Sequence, residues 1–259
     1  MTQGYVIFAV NSNSVDYEIC ASALSKSLRL VGDTRPITII TAQNLKTDIV
    51  GSTTHGPYSD DWQVYDLSPY DETIKLEADM IVTRSIDSWW TLLKNRDLHV
   101  ASQCRDYKQR IATSRFYRYV NDQNKLPDLY NGITYFKKSD LASEFFTTVR
   151  EIFKNWNEIN SDLDFPSLMR WGDTDTVYSI AAHVIGIERC TMPNSIIQFV
   201  HMKQKINNLL VEDWTRELVY EIIDNDFRIN TVSQLYPVHY HVKSLAKTLE
   251  QYYDSRIKI

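Results

Sequence analysis

The run Tyr5-Val6-Ile7-Phe8-Ala9-Val10 is unbroken, apolar and β-prone, the pattern of a strand buried on both faces. Polar Asn11-Ser12-Asn13-Ser14 follows, with Ser14 or Asn13 placed to cap a helix. Val15, Ile19, Ala23, Leu24 and Leu28 then recur at helical spacing as far as Gly32, and Ile37–Thr41 reads as a second strand. A β-loop-α-β opening of this kind builds a mostly parallel sheet flanked by helices, an α/β fold. Ligands of such sheets bind beyond the carboxyl ends of the strands, where Asn11–Ser14 lies. No glycine-rich phosphate loop stands there, which argues against dinucleotide and P-loop nucleotide folds.

Further strands are predicted near Gln63–Leu67, over Thr73–Leu76 and Met80–Val82, at Asp97–Ser102, at Tyr130–Phe136 and near Ile196–Val200. Helices are predicted over Ser85–Leu93, Ser139–Trp156, Asp175–Ile185 and Val242–Tyr253. The 259 residues show no internal repeat, linker or low-complexity run, so one compact unit is expected. Within it, residues 1–102 form one half and 103–259 the other, the latter ending in the C-terminal helix. A 43% hydrophobic fraction suffices for a sizeable core. The net charge of −5 gives no global cationic field for nucleic acid or acidic membranes. Cys20, Cys104 and Cys190 are far apart and fit neither a zinc motif nor a disulfide framework. With no basic n-region at Met1–Gly4 and no apolar run long enough to span a bilayer, a cytoplasmic protein without membrane contact is expected.

Glu77-Ala78-Asp79 carries the most chemistry. Two carboxylates inside an apolar stretch are costly unless their charge is compensated. Positions i and i+2 of an extended chain point the same way, so both acids can face one ion. Oxygen donors of this kind suit Mg²⁺ or Mn²⁺, which bridge to phosphate oxygens. The competing reading is a strand end whose acids pair with Lys75 and Arg84.

The stretch Pro69-Tyr70-Asp71-Glu72-Thr73-Ile74-Lys75-Leu76-Glu77-Ala78-Asp79-Met80 resembles the DxD-containing segment of GT-A glycosyltransferases. It is most similar to the family-eight-like group, whose run reads "YLDAD". In the same order, Leu129–Phe136 resembles that group's "FNAGV" strand and Asp173-Thr174-Asp175 its "DQD" helix start. Ile196–His201 resembles its "IIHY" strand and His241–Lys247 its "HxxGxxK", with serine at the glycine. The resemblance covers Tyr5 to Lys247. It implies a GT-A fold and transfer of a sugar from a nucleotide-sugar donor, a UDP-sugar foremost, with Mn²⁺ or Mg²⁺ as cofactor.

By the same resemblance Glu77 and Asp79 hold the metal, with His201 and His241 competing for the third position; His239 reads as a packed or surface histidine. Ala9, Val10 and Asn11 fall where base and ribose bind, and Lys75, Lys203, Lys243 and Lys247 are donors to phosphate. Asp173 is the acid nearest the sugar or a helix N-cap, with the two roles divisible between it and Asp175. Asn131 is a substrate contact or a turn residue before Gly132. Glu77 in place of aspartate lengthens one ligand arm, and Thr174 lacks the amide of the family's glutamine.

Arg105–Tyr119 reads RDYKQRIATSRFYRY, basic residues interleaved with aromatics, a composition that suits a phosphate backbone with stacked bases. Arg105, Lys108, Arg110, Arg115 and Tyr117 are therefore the expected acceptor contacts; the plainer reading is a solvated amphipathic helix. The wording of the chain also resembles glycosyltransferases encoded by tailed bacteriophages, which makes a hydroxylated base of phage DNA the leading acceptor and the host cytoplasm the setting. The charge of −5 weighs against DNA. Glycan, lipid-linked and protein acceptors stay open, as do a nucleotidyltransferase and a non-catalytic nucleotide- or nucleic-acid-binding module.

Overall fold

The computed structural model describes residues 1–46, 58–113, 115, 118–164, 166–167, 172–192, 195, 197–223 and 225–257. The opening strand β1 (Gln3–Phe8) leads through α1 (Tyr17–Leu30) to β2 (Ile37–Ile40), and both β2 and β3 (Glu72–Glu77) pair with β1 in parallel. Beyond β3 come β4 (Met80–Ile81), α3 (Asp87–Leu93), β5 (Leu98–Ala101), β6 (Cys104–Arg105), β7 (Ile111–Ala112) and β8 (Tyr130–Lys137). Helices α5 (Asp140–Lys154) and α7 (Thr174–Ile185) follow, then β9 (Phe199–His201), a small antiparallel sheet of β10 (Tyr220–Ile223), β11 (Asp226–Ile229) and β12 (Val232–Ser233), then β13 (Val238–His239) and α10 (Leu245–Arg256). Short helices α2 (Val64–Leu67), α4 (Tyr119–Gln123), α6 (Trp156–Asp162), α8 (Ile187–Cys190) and α9 (Gln204–Asn207), with 3-10 turns at Ala42–Asn44, Asp61–Gln63 and Trp214–Arg216, complete the described elements.

The main sheet runs β2-β1-β3-β8-β5, with β8 antiparallel to both neighbours. Alternation along β1 divides the interior: Tyr5 and Ile7 pack with Leu24 and Leu28 of α1, while Val6 and Phe8 face Phe145, Phe146 and Val177 of α5 and α7. Helix α10 closes over α1, joined to it at the surface by Ser22 Oγ and Lys26 Nζ on Glu250. A second sheet runs β4-β13-β9-β6-β7. The chain crosses from the first sheet to the second at the turn Ala78-Asp79, between β3 and β4, and crosses again between β5 and β6. Its acid pair thus sits at the seam of the two sheets.

Three local expectations are corrected. Gln63–Leu67 is helical, because β3 is already paired on both sides by β1 and β8 and the Gln63 amide instead bonds the Lys46 backbone and Asp60 Oδ1. Helix α1 is capped by Asp16, whose carboxylate accepts from the Glu18 and Ile19 amides, not by Asn13 or Ser14. Among its described residues Arg105–Tyr119 forms no amphipathic helix: it includes the β6–β7 hairpin at the edge of the second sheet, and Tyr117 lies outside the described residues. The late strand and the last helix begin at Phe199 and Leu245, a few residues after the expected starts at Ile196, itself outside the described residues, and Val242.

Candidate functional site

Strand β3 ends at Glu77, and the turn beyond it carries Asp79 to the mouth of a cavity of about 310 Å³. Two backbone ties hold the turn and its exit. The Val82 amide donates to Ser27 Oγ, and the Tyr240 amide donates to the Asp79 carbonyl. Register then decides which histidine reaches the acids. Pairing of His239 with Met80 in the β13–β4 ladder puts His239 beside Asp79. Its Nε2 stands 3.0 Å from Asp79 Oδ2 and its Nδ1 3.1 Å from Glu77 Oε2.

The third partner of the acids is therefore His239, expected from the sequence to be a packed or surface histidine. His201 and His241 stand next to it. Their Nε2 atoms are 3.4 Å apart, and the His239 and His241 rings stack with centroids 3.8 Å apart. Trp214 Nε1 donates to the Tyr240 carbonyl and holds this histidine-bearing segment in place.

Charge is distributed unevenly over the cluster. Burial pushes the Glu77 carboxyl up, His239 pulling against it and Asp79 adding to it. Burial would do the same to Asp79, but His239 and Lys243 outweigh it and hold that carboxyl well below its usual range. For His239 burial opposes the charged form, yet Asp79 and Glu77 prevail and raise it. Lys243, whose Nζ donates to Asp79 Oδ2, is likewise raised by that carboxylate against burial. Burial lowers His201 and His241, with His239 adding to the effect, so both are neutral imidazoles. His239 and Lys243 thus both face the same oxygen, Asp79 Oδ2.

Glu77, Asp79 and His239 fit a divalent cation. Their ligand atoms all lie within 4.8 Å of one another. His239 Nδ1 is buried and makes no hydrogen bond despite its closeness to Glu77, and neither does buried Asn131 Oδ1 in the same cavity. Strand β8 passes so close that a Cβ at Gly132 would stand 3.0 Å from Glu77 Oε2, which explains glycine at that position. Two carboxylates and one imidazole suit Mn²⁺ and, less well, Mg²⁺.

The same cavity brings together most of the remaining expected residues. Asp173, Asp175, Asn131, Lys75, Lys203, Lys243 and Val10 all line the cavity. Asp173 does cap α7, accepting from the Thr176 amide at 3.0 Å, and its residue still faces the cavity. Asp175 accepts from the Asn131 amide at 2.8 Å and from Arg118 Nη2 at 3.1 Å. Lys75 is buried beneath the site, on Asp61 at 2.8 Å and on the Asn131 carbonyl at 3.3 Å.

Asp61 gave no sequence signal. It accepts from Lys75, Tyr178 and the Asn131 side chain at once and anchors the floor. Tyr17 and Tyr58, hydrogen-bonded through their hydroxyls at 2.6 Å, form another wall and were not anticipated either. Three expected donor contacts are not brought in. Ala9 is fully buried, Asn11 is exposed and bonded to Glu18, and Lys247 is exposed on α10.

Of the expected acceptor residues, Arg105, Lys108, Arg110 and Arg115 are not among those lining the cavity. Arg105 donates to Gln198 and stacks on Tyr236, and Arg110 pairs with Asp106 at 2.5 Å. Lys108 sits over the Tyr107 ring, and Arg115 is exposed.

No protein-family model matches the chain, and no curated protein matches it either. Solved structures do. The galactosyltransferase LgtC, in complex with donor and acceptor sugar analogs, aligns over 99% of this chain and 97% of its own, with a TM-score of 0.55 and 12% identity. Mouse xyloside xylosyltransferase 1 aligns over 93% of this chain and 98% of its own, with a TM-score of 0.50 and 10% identity. The chain spans 65% of the length of the glycosyltransferase GlyE of Streptococcus pneumoniae, at 13% identity and a TM-score of 0.45. At such identities the likeness is one of architecture: this chain has the mixed α/β GT-A fold, with its C-terminal helix packed on α1.

Proposed function

We propose that the chain is a glycosyltransferase that takes a nucleotide sugar, a UDP-sugar foremost, and moves the sugar to a hydroxyl acceptor. The observation that carries this reading is the convergence of Glu77, Asp79 and His239 at the seam of a GT-A fold, in a cavity that also presents Lys203, Lys243, Asn131 and Asp173. Those three residues would hold Mn²⁺ or Mg²⁺, which would supply positive charge where the departing diphosphate gathers negative charge. Lys243 and Lys203 reach the same phosphates as hydrogen-bond donors. Tyr17 and Tyr58, packed edge to face in the cavity lining with Val10, offer aromatic surface for the base. Asn131 Oδ1 and the Asp173 carboxylate face the sugar; Asp175 orients Asn131 through its backbone amide. Residues 1–102 supply most of the nucleotide side of this arrangement and 103–259 most of the sugar and acceptor side.

The acceptor is a hydroxyl compound. A hydroxylated DNA base, expected from the Arg105–Tyr119 composition and the phage-like wording, draws no support from the arrangement, since Arg105 and Arg110 are engaged within the protein. Among the described residues no helix is long and apolar enough to cross a membrane.

The test is thermal stabilisation by nucleoside diphosphates, each with and without Mn²⁺, followed by release of free sugar from the nucleotide sugar whose base binds. Mn²⁺-dependent stabilisation by UDP with sugar release supports the reading. Absence of stabilisation by every nucleotide overturns it.

A further inference from the structure

The histidines offer more than the acid pair requires. His201, His239 and His241 each present a ring nitrogen, and all three lie within 4.8 Å of one another. Two of those nitrogens, His201 Nε2 and His241 Nε2, face each other at 3.4 Å. Adjacent ligands of a tetrahedral zinc-class ion, each bonded at about 2.0–2.1 Å, stand about 3.3–3.4 Å apart. The pair already has the edge of that tetrahedron.

The surroundings point to an ion as well. His201 is 2% exposed, and its Nδ1 makes no hydrogen bond. A buried imidazole without a full set of partners is costly in a protein built only for its own packing. His241 adopts a left-handed backbone conformation, with φ of 57°, which is uncommon outside glycine and turns its ring onto His201 and His239. All three rings border the 310 Å³ cavity, and His241 also borders a second cavity of about 560 Å³, so an ion has a way in and a water has room to complete four-coordination.

We propose that His201, His239 and His241 form a second, nitrogen-donor metal site that takes a zinc-class ion, Zn²⁺, Co²⁺ or Ni²⁺, and discriminates against Mg²⁺. Three imidazoles and a water make the donor set of an open zinc site, whereas hard ions such as Mg²⁺ want oxygen. His239 belongs to both groups, so an ion among the histidines draws on a ligand of the acid pair. The inference stands on the histidine geometry alone and holds whether or not the chain is a transferase.

The test uses Co²⁺ as probe, without nucleotide. Co²⁺ is titrated into the metal-free full-length protein, and the visible absorption of four-coordinate Co²⁺ is followed, with displacement by Zn²⁺ as a second readout. One Co²⁺ per chain is expected, bleached by Zn²⁺ and not by Mg²⁺. His241→Asn, whose side chain tolerates the left-handed backbone, should weaken Co²⁺ binding by at least about tenfold. His201→Gln should do the same, and either variant counts once its circular dichroism and melting match the parent. Glu77→Gln should leave the Co²⁺ spectrum in place. An absent spectrum, unchanged affinity in a folded histidine variant, or loss of the spectrum in Glu77→Gln would each overturn the proposal. Nucleotide binding is scored separately, so failure here leaves the transferase reading standing, and the reverse.

Discussion

His239 Nε2 lies 3.0 Å from Asp79 Oδ2, joining residues 160 positions apart in the chain. That contact turns an acid pair at a strand end into a three-residue site, and it makes the role of each acid separable by substitution.

Asp79→Asn keeps the shape of the turn and removes the charge that His239 and Lys243 share. In the parent, UDP at about 100 times its Kd with Mn²⁺ should add about 2.7 kcal/mol of stability. In the variant most of that Mn²⁺-dependent increment should vanish, and the melting point without ligand should fall as well, because Lys243 and His239 lose the buried carboxylate they pair with. A differential thermal shift decides it, and an undiminished increment would remove Asp79 from the metal site.

Gly132→Ala inserts a Cβ at 3.0 Å from Glu77 Oε2. Glu77 has to give way, so Mn²⁺ affinity should fall several-fold while stability drops by about 1–2 kcal/mol at most. Calorimetric titration with Mn²⁺ alongside urea unfolding separates the two effects.

Lys75→Met leaves Asp61 buried without its ammonium. Loss of one partner of a buried ion pair costs about 3–5 kcal/mol. Adding Asp61→Asn to that variant removes the stranded charge and should restore part of the loss, a non-additivity that urea unfolding of the two single variants and the double variant would reveal.

His99 sets a pH dependence remote from the site. Burial, helped by the Arg96 charge, lowers its imidazole from 6.5 to about 3. The unfolded chain takes up that proton as pH drops below about 6.5, while the native protein does not, so the stabilisation is complete above that pH and is lost on the way down toward pH 3. Each pH unit inside that window costs about 1.4 kcal/mol. Between pH 6.5 and 4.5 the parent should lose about 2–3 kcal/mol more than His99→Phe, measured by urea unfolding at both pH values.

The first strand, the helix after it and the acid pair are local signals and were legible: Tyr5–Val10 states its burial in its own composition, and Glu77-Ala78-Asp79 stands out against apolar neighbours. Residues whose role depends on register were not. In the run Pro237–His241 nothing local separates His239 from His241; the pairing of His239 with Met80 does. Periodicity of two does put both histidines on one side of an extended chain, which was the available hint. Asp61 was hidden for another reason. It lies next to a segment whose residues favour strand, and its worth comes from Lys75, Tyr178 and Asn131 arriving from three different elements.

The seam between β3 and β13 also bears on how the molecule reaches its native state. The acids are made early in the chain, while the histidine that completes their site belongs to its last quarter and reaches them through a β13–β4 pairing of two residue pairs. An ion bound there would find its full ligand set only after a loop of 160 residues has closed, and it could not template that closure. Any stabilisation it brings should appear in the unfolding rate and leave the refolding rate unchanged, so the metal acts as a latch on a finished fold.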